Sequence, residues 1–327
     1  MYKGTDNKTV ISNVGVIILT ILCATAAWIP AFVFPQEPLL TQGGGSLYRL
    51  LTPIINYHPH LSNTITLVLL MGIVALQCWH AVHLRLVRTL SLLPALFILL
   101  FTGVLSSEHG ISPGVPAAIC LYIAFMQIIT PSNNEEALWR SLEMGIFIAL
   151  SSLFAPTYIY YYPLFCIGLH LVNKLTGINL LSSLIGLCTP YVLWVGFLFL
   201  TDQMALANYQ CQVLSHQFCI EWLWPLHDSV IIIVIGCTLL IALMGFLHQH
   251  TDRIHPRAVS HFSFIVGFGA CLLSLLYHSA HHSIALIIFA SLQLTQYFNY
   301  RSKKITTVFF YTFIACLLFV YSTQFIA

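Results

Sequence analysis

Residues 177–200 read GINLLSSLIGLCTPYVLWVGFLFL, an apolar run without one charged residue. A helix needs about 20 residues to cross the hydrocarbon core of a bilayer, and this stretch supplies them. Working outward from it, comparable apolar windows fall at 11–34, 64–84, 89–105, 115–130, 142–157, 159–173, 224–247, 261–278, 282–297 and 306–325. The pattern predicts an all-α polytopic transmembrane bundle of about eleven spans, forming a single transmembrane domain over residues 1–327. In the pair 142–173, Pro156 and Pro163 flank a turn containing Tyr158, Tyr160, Tyr161 and Tyr162. Proline ends one helix and starts the next, which gives a short helical hairpin with its tyrosines at headgroup depth. Ten spans, with 142–173 as one broken helix, is the competing count.

Composition agrees with the windows. Of 327 residues, 58% are hydrophobic and 7% are charged, against roughly 25% charged in ordinary globular proteins. A soluble domain has no way to hide that much apolar surface. Twelve Lys and Arg are nearly balanced by ten Asp and Glu, which excludes a nucleic-acid-binding surface. The spans leave only connecting loops, so any chemistry belongs in the loops, at helix ends or between helices.

Basic residues flanking membrane spans stay on the cytoplasmic side. With the N-terminus inside, Lys3, Lys8, Arg85, Arg88, Arg140, Lys174, Arg253, Arg257, Arg301, Lys303 and Lys304 are all cytoplasmic, and Arg49 alone is external. That alternation predicts an odd number of spans with the C-terminus outside. Lys3 and Lys8 before an apolar run resemble a signal peptide, but the run continues to Phe34, so it reads as an anchor.

The predicted external loops carry the candidate chemistry. Loop 35–63 reads PQEPLLTQGGGSLYRLLTPIINYHPHLSN. Its prolines and the triplet Gly43-Gly44-Gly45 make a bendable stretch, while Leu47, Leu50, Leu51, Ile54 and Ile55 recur near helical spacing and suit an interfacial segment. Glu37 is its only acid and Arg49 its only Lys or Arg. Arg49 reads either as the partner of an anionic headgroup or substrate phosphate, or as an internal ion pair or interfacial anchor. Loop 201–223 lacks Lys and Arg and contains Cys211 and Cys219, a candidate disulfide in an oxidising compartment or else two free thiols. Asp228, preceded by His227, begins the following span. An ionisable group at that depth is costly and often functional, though a helix N-terminus also favours a carboxylate. Glu143 has the same double reading. The run His278-Ser279-Ala280-His281-His282 offers nitrogen ligands that His227 or Asp228 would complement, yet its spacing matches no zinc signature. No metal and no cofactor is expected.

Residues 140–200 also have a recognisable layout: Arg140, Gly145, IALSSLFAP from Ile148 to Pro156, Tyr162-Pro163-Leu164-Phe165, Lys174, Gly186 and Pro190-Tyr191. This resembles an uncharacterised family of bacterial polytopic inner-membrane proteins and, more distantly, the C-type lipid-sugar-dependent glycosyltransferases and glycan polymerases. In the latter, a carboxylate in the first external loop handles the acceptor or a metal, and basic residues hold the polyprenyl phosphate. Carried over, the resemblance implies Glu37 in the catalytic role and Arg49 as phosphate partner, although that family usually has paired acids where this loop has one. The expectation is an envelope-biogenesis protein of the bacterial inner membrane handling a polyprenyl-linked glycan at the outer face. Glu37 and Asp228 are its catalytic candidates, and Arg49, Tyr48 and His227 its substrate-binding ones. The alternatives are a non-catalytic subunit that packs against membrane protein partners, or a lipid or solute transporter for which Pro94, Pro156, Pro163 and Pro190 are the supporting feature.

Overall fold

The computed structural model describes residues 13–33, 44–56, 59–83, 92–104, 112–216, 226–247, 254–276, 281–300 and 304–323. These form α1 (Asn13–Val33), α2 (Ser46–Asn56), α3 (Pro59–His83), α4 (Leu93–Val104), α5 (Gly114–Ile129), α6 (Asn134–Phe154), a 3-10 helix (Pro156–Tyr161), α7 (Tyr162–Leu171), α8 (Gly177–Leu200), α9 (Ala205–His216), α10 (Leu226–Leu247), α11 (Ile254–Leu276), α12 (His281–Tyr300) and α13 (Lys304–Thr323). The described residues contain no strand. The fold is all-α. Among the described residues, four segments are long and apolar enough to cross a membrane: His60–His83, Glu135–Phe154, Gly177–Leu200 and Arg257–Leu276.

Burial separates inner from outer helices. Every residue of α4 is buried, as is every residue of α12 from His281 to Phe298. α12 packs on α4, α5, α10 and α11. Ring packing fills this centre: Phe125 lies 4.9 Å from Phe262 and 5.1 Å from Phe289, and Phe97 lies 5.8 Å from Phe298. α8 is the opposite case, exposing Ile178, Leu193, Phe199 and Leu200 along its length. Such a face is stable where the solvent is itself hydrocarbon.

What holds α8 is its contact with α6. A Cβ on Gly145 would overlap the carbonyl oxygen of Ser183, and one on Gly186 would overlap that of Leu142. The two glycines therefore bring the helix backbones together from both sides, and polar groups fasten the seam. Ser182 donates to Leu138 O at 2.9 Å and Ser152 Oγ bonds Tyr191 Oη, while Tyr162 Oη of α7 meets Ser183 Oγ of α8 at 2.9 Å.

Several local expectations change. α6 begins at Asn134, ahead of the apolar window at 142, because Glu135 and Glu136 occupy its first turn, where the N-terminal dipole favours carboxylates. Asn133 is the N-cap residue, so Glu143 is an exposed mid-helix residue and not a cap. The pair of passes expected over 142–173 is the later part of the 21-residue α6, the 3-10 helix, and an α7 of 10 residues. Pro94, Pro156 and Pro163 stand at helix starts, and of the four cited prolines Pro190 alone lies inside a helix. The tyrosine turn is not a wet belt, since Tyr158 and Tyr161 are fully buried.

At the Thr130 end of the bundle, Lys174 closes the α5 terminus by donating to Ile128 O at 3.0 Å and Thr130 O at 2.7 Å. These carbonyls have no partner within the helix. Arg140 donates to Gln127 Oε1 at 3.3 Å beside it. Burial, then repulsion from Arg140, pushes the Lys174 ammonium down to about 8, with Glu136 opposing the shift.

Two predictions follow from these contacts. Gly145→Leu and Gly186→Leu each lower the unfolding temperature of the detergent-purified protein, by an overpacking cost of ~1–3 kcal/mol. Gly196→Leu does not, because nothing lies within 4 Å of a Cβ there. Lys174 gives the second. Between about pH 8 and its ordinary 10.5 the unfolded chain keeps a proton that the folded chain has lost. Stability from this group therefore rises with pH across that window. Thermal unfolding of wild type and Lys174→Met at pH 7–10.5 should show that slope in the difference between them, and identical pH profiles would refute it.

Candidate functional site

The end of the bundle opposite Lys174 carries the two short helices α2 and α9. Their position is set by the last turn of α6, where carbonyls lack helical partners. Ala155 N–H bonds Ser151 O at 3.0 Å within the chain's own turn. Two more are taken by other segments: Gly45 N–H donates to Phe154 O at 2.7 Å, and Gln210 Nε2 of α9 donates to Ser152 O at 2.8 Å. A Cβ on Gly45 would overlap the Leu153 carbonyl, so glycine is required for the approach. This is the structural use of the triplet in loop 35–63.

Ser46 then opens α2 with both its polar groups engaged. Its N–H donates to Gln210 Oε1 at 2.7 Å, and its Oγ accepts from Trp194 Nε1 at 2.8 Å. One residue thereby ties α2 to α8 and α9. Tyr48 is buried, with its ring against Gly44. Arg49, the next residue, is exposed. Its guanidinium carbon lies 3.5 Å from the centroid of the Tyr209 ring on α9, a cation–π contact that fixes the side chain without neutralising it. Among the described residues no carboxylate pairs with Arg49.

A second polar group lies inside this end. Tyr158 Oη donates to His281 O at 2.6 Å, and its ring stacks on His282 with centroids 5.0 Å apart. Tyr161 Oη and His282 Nδ1 are 3.2 Å apart. His281 and His282 are thus buried at the start of α12 and not arranged as a solvent-facing ligand set. Among the described residues no group of three His, Cys, Asp or Glu side chains is placed to hold a metal.

The structure brings Tyr48 and Arg49 into one junction with Tyr209 and Gln210. Asp228 and His227 belong to the first turn of α10, but their side chains lie outside the described residues, as do Glu37, His278 and Cys219. Cys211 is exposed on α9. Tyr209, Gln210, Trp194 and Ser46 were not singled out by sequence, since uncharged residues in amphipathic or apolar helices give no signal of which distant segment they meet. The nearest clue was Arg49 itself, the one basic residue that broke the charge alternation.

A family of unknown function, DUF6427, matches residues 46–327. The chain belongs to this family. The match opens at Ser46, the first residue of α2, so Tyr48, Arg49, His227 and Asp228 fall within it and Glu37 does not. No curated protein and no solved structure matches the chain.

The junction makes a direct prediction. Gln210→Leu strands the Ser46 N–H and the Ser152 carbonyl together, at ~1–3 kcal/mol for each buried group left unpaired. Hydrogen exchange should show residues 44–56 losing protection in that variant. Unchanged protection there would mean that the Gln210 bridge does not hold α2.

Proposed function

We propose that this protein handles a polyprenyl-linked glycan at the outer face of a bacterial inner membrane, in the manner of a C-type glycosyltransferase. In this reading the chain makes about eleven passes, with the N-terminus inside, the C-terminus outside, and the α2 end facing outward. The observation that carries it is the state of Arg49: an exposed guanidinium seated on Tyr209, with its charge unspent among the described residues. An Arg held this way has its fork of donors free for phosphate oxygens. Its roles are phosphate clamp for Arg49, general base for Glu37, a supporting carboxylate for Asp228 and a substrate contact for His227, with Tyr48, buried against Gly44, acting by positioning Arg49.

The second reading, a non-catalytic subunit of an envelope complex, draws support from α8, whose apolar face has no partner within the chain along most of its length. Transport is less well supported. On α12 the run Ile284–Ala290 is wholly apolar and buried, and it separates the polar groups at the two ends of that helix.

The test is complementation of a deletion strain, with lipid-linked glycan turnover measured in membranes. Arg49→Ala is expected to lower transfer by about tenfold to a hundredfold, the worth of a lost charge-assisted hydrogen bond pair. Arg49→Lys, which keeps the charge but not the fork, should fall between. Full transfer in Arg49→Ala and Glu37→Gln strains would exclude the glycan reading and leave the subunit reading in its place.

A further inference from the structure

Two cations converge on the last turn of α5. Lys174 donates to Ile128 O and Thr130 O, and Arg140 donates to the side chain of Gln127, the residue before Ile128. Lys174 alone closes the helix end. Arg140 is not needed for that purpose, and its 3.3 Å bond to a neutral amide engages one N–H of a guanidinium that has several. It also stands half-buried within the apolar segment Glu135–Phe154, where an ionised group is costly and ordinarily has a partner. Among the described residues no carboxylate forms an ion pair with either cation. Burial and then the Arg140 charge disfavour the Lys174 ammonium, and Glu136 offsets only part of this. Like charges held together at such a point are compensated by an anion from outside the chain.

The Lys174 side of this pair is fixed in advance. Asn173 ends α7 with φ 57, Lys174 N–H turns back to Leu169 O at 2.9 Å, and Asn179 Nδ2 of α8 donates to Lys174 O at 2.8 Å. Little order is then left to lose when the ammonium meets a ligand. An apolar lane begins at the next residue. Leu175 precedes α8, and Ile178, Leu181, Ile185 and Val192 recur along it at spacings that share one helix face, all of them exposed. Trp139, beside Arg140 in the chain, is exposed as well, and its ring suits headgroup depth. A free phosphate would use the two charges and leave the lane idle, whereas a phospholipid uses both.

We infer that Lys174 and Arg140 hold the headgroup phosphate of an anionic phospholipid whose acyl chain lies along the exposed face of α8. The Arg140 fork meets two phosphate oxygens, and the remaining N–H of the Lys174 ammonium meets one of them. The bound anion converts the repulsion between the two cations into a shared attraction. Basic pockets between spanning helices are a known seat for such headgroups. The site uses neither Arg49 nor Glu37 and lies at the other end of the bundle, so it goes beyond the glycan reading and does not depend on it.

The experiment titrates the full chain in detergent with phosphatidylglycerol, with phosphatidylcholine of the same acyl chains, and with inorganic phosphate at constant ionic strength, following the unfolding temperature. A saturable rise with phosphatidylglycerol alone is expected. Arg140→Gln leaves the Lys174 closure of α5 in place and should need about tenfold more phosphatidylglycerol for the same rise. Arg140→Lys, which keeps the charge without the fork, should fall between, and it keeps the test open if Arg140→Gln does not fold. Arg257→Gln, which removes an exposed charge near the start of α11, should leave the titration unchanged. An equal rise with phosphatidylcholine, or no rise with either lipid, overturns the site. A full rise with inorganic phosphate overturns the headgroup and leaves a solute anion. An unshifted titration in the Arg140 variants, or an equal shift in Arg257→Gln, overturns the assignment to these residues.

Discussion

The free carbonyls at the C-terminus of α6 organise one whole end of this protein. A helix end buried among apolar residues must find donors for its last carbonyls, and the sequence supplies them from far away. Gly45 reaches Phe154 O and Gln210 reaches Ser152 O, so the segments before α2 and within α9 are bound to the same helix turn. Everything notable about Arg49 follows from that. Once Gly45 and Gln210 are fixed, Ser46 is fixed between Gln210 and Trp194, and Arg49, one turn along α2, is delivered to the face of Tyr209, the residue before Gln210. The guanidinium is placed by backbone hydrogen bonds that never touch it.

The same requirement shapes the interior. α12 is buried along nearly its whole described length, yet it carries His281, His282, Ser291, Gln293, Thr295 and Gln296. His282, Ser291 and Gln293 bond to side chains of neighbouring elements. Gln77 Nε2 donates to Ile288 O and its Oε1 accepts from Ser291, while Gln293 and Ser260 bond reciprocally. These pairs lock α3 and α11 to α12 in one register, a use of polar side chains suited to a medium in which apolar contact alone does not choose between registers.

Much of the fold is legible in the hydropathy, and the residues show why some is not. The window 177–200 coincides with α8 because no charge interrupts it and Thr176 caps it by accepting from Asn179 N–H. The start of α6 is hidden because hydropathy penalises Glu135 and Glu136, which a helix N-terminus accommodates easily. The tyrosine turn misleads for a related reason: a phenol suits a wet interface, but it suits a buried helix junction equally well when a carbonyl such as His281 O is waiting. At the site, an oddity of charge singles out Arg49, whereas Tyr209 and Gln210 act through segments about 160 residues away in the chain, and nothing in one sequence without homologues reports that pairing.

The two ends of the bundle solve the same problem differently, and the difference bears on function. At the Thr130 end a helix C-terminus is closed by an ammonium, and Lys174 donates to two carbonyls at once. At the α2 end no described cation approaches the carbonyls of α6, which are met by an amide and a glycine N–H. The one described cation of that end is held outward on an aromatic ring. A purely structural end had the simpler option of turning the Arg49 donors onto the carbonyls, as Lys174 does. Neutral groups close the helix here and leave the Arg49 guanidinium on the Tyr209 ring with no carboxylate partner among the described residues, which is the state on which the proposed phosphate clamp rests.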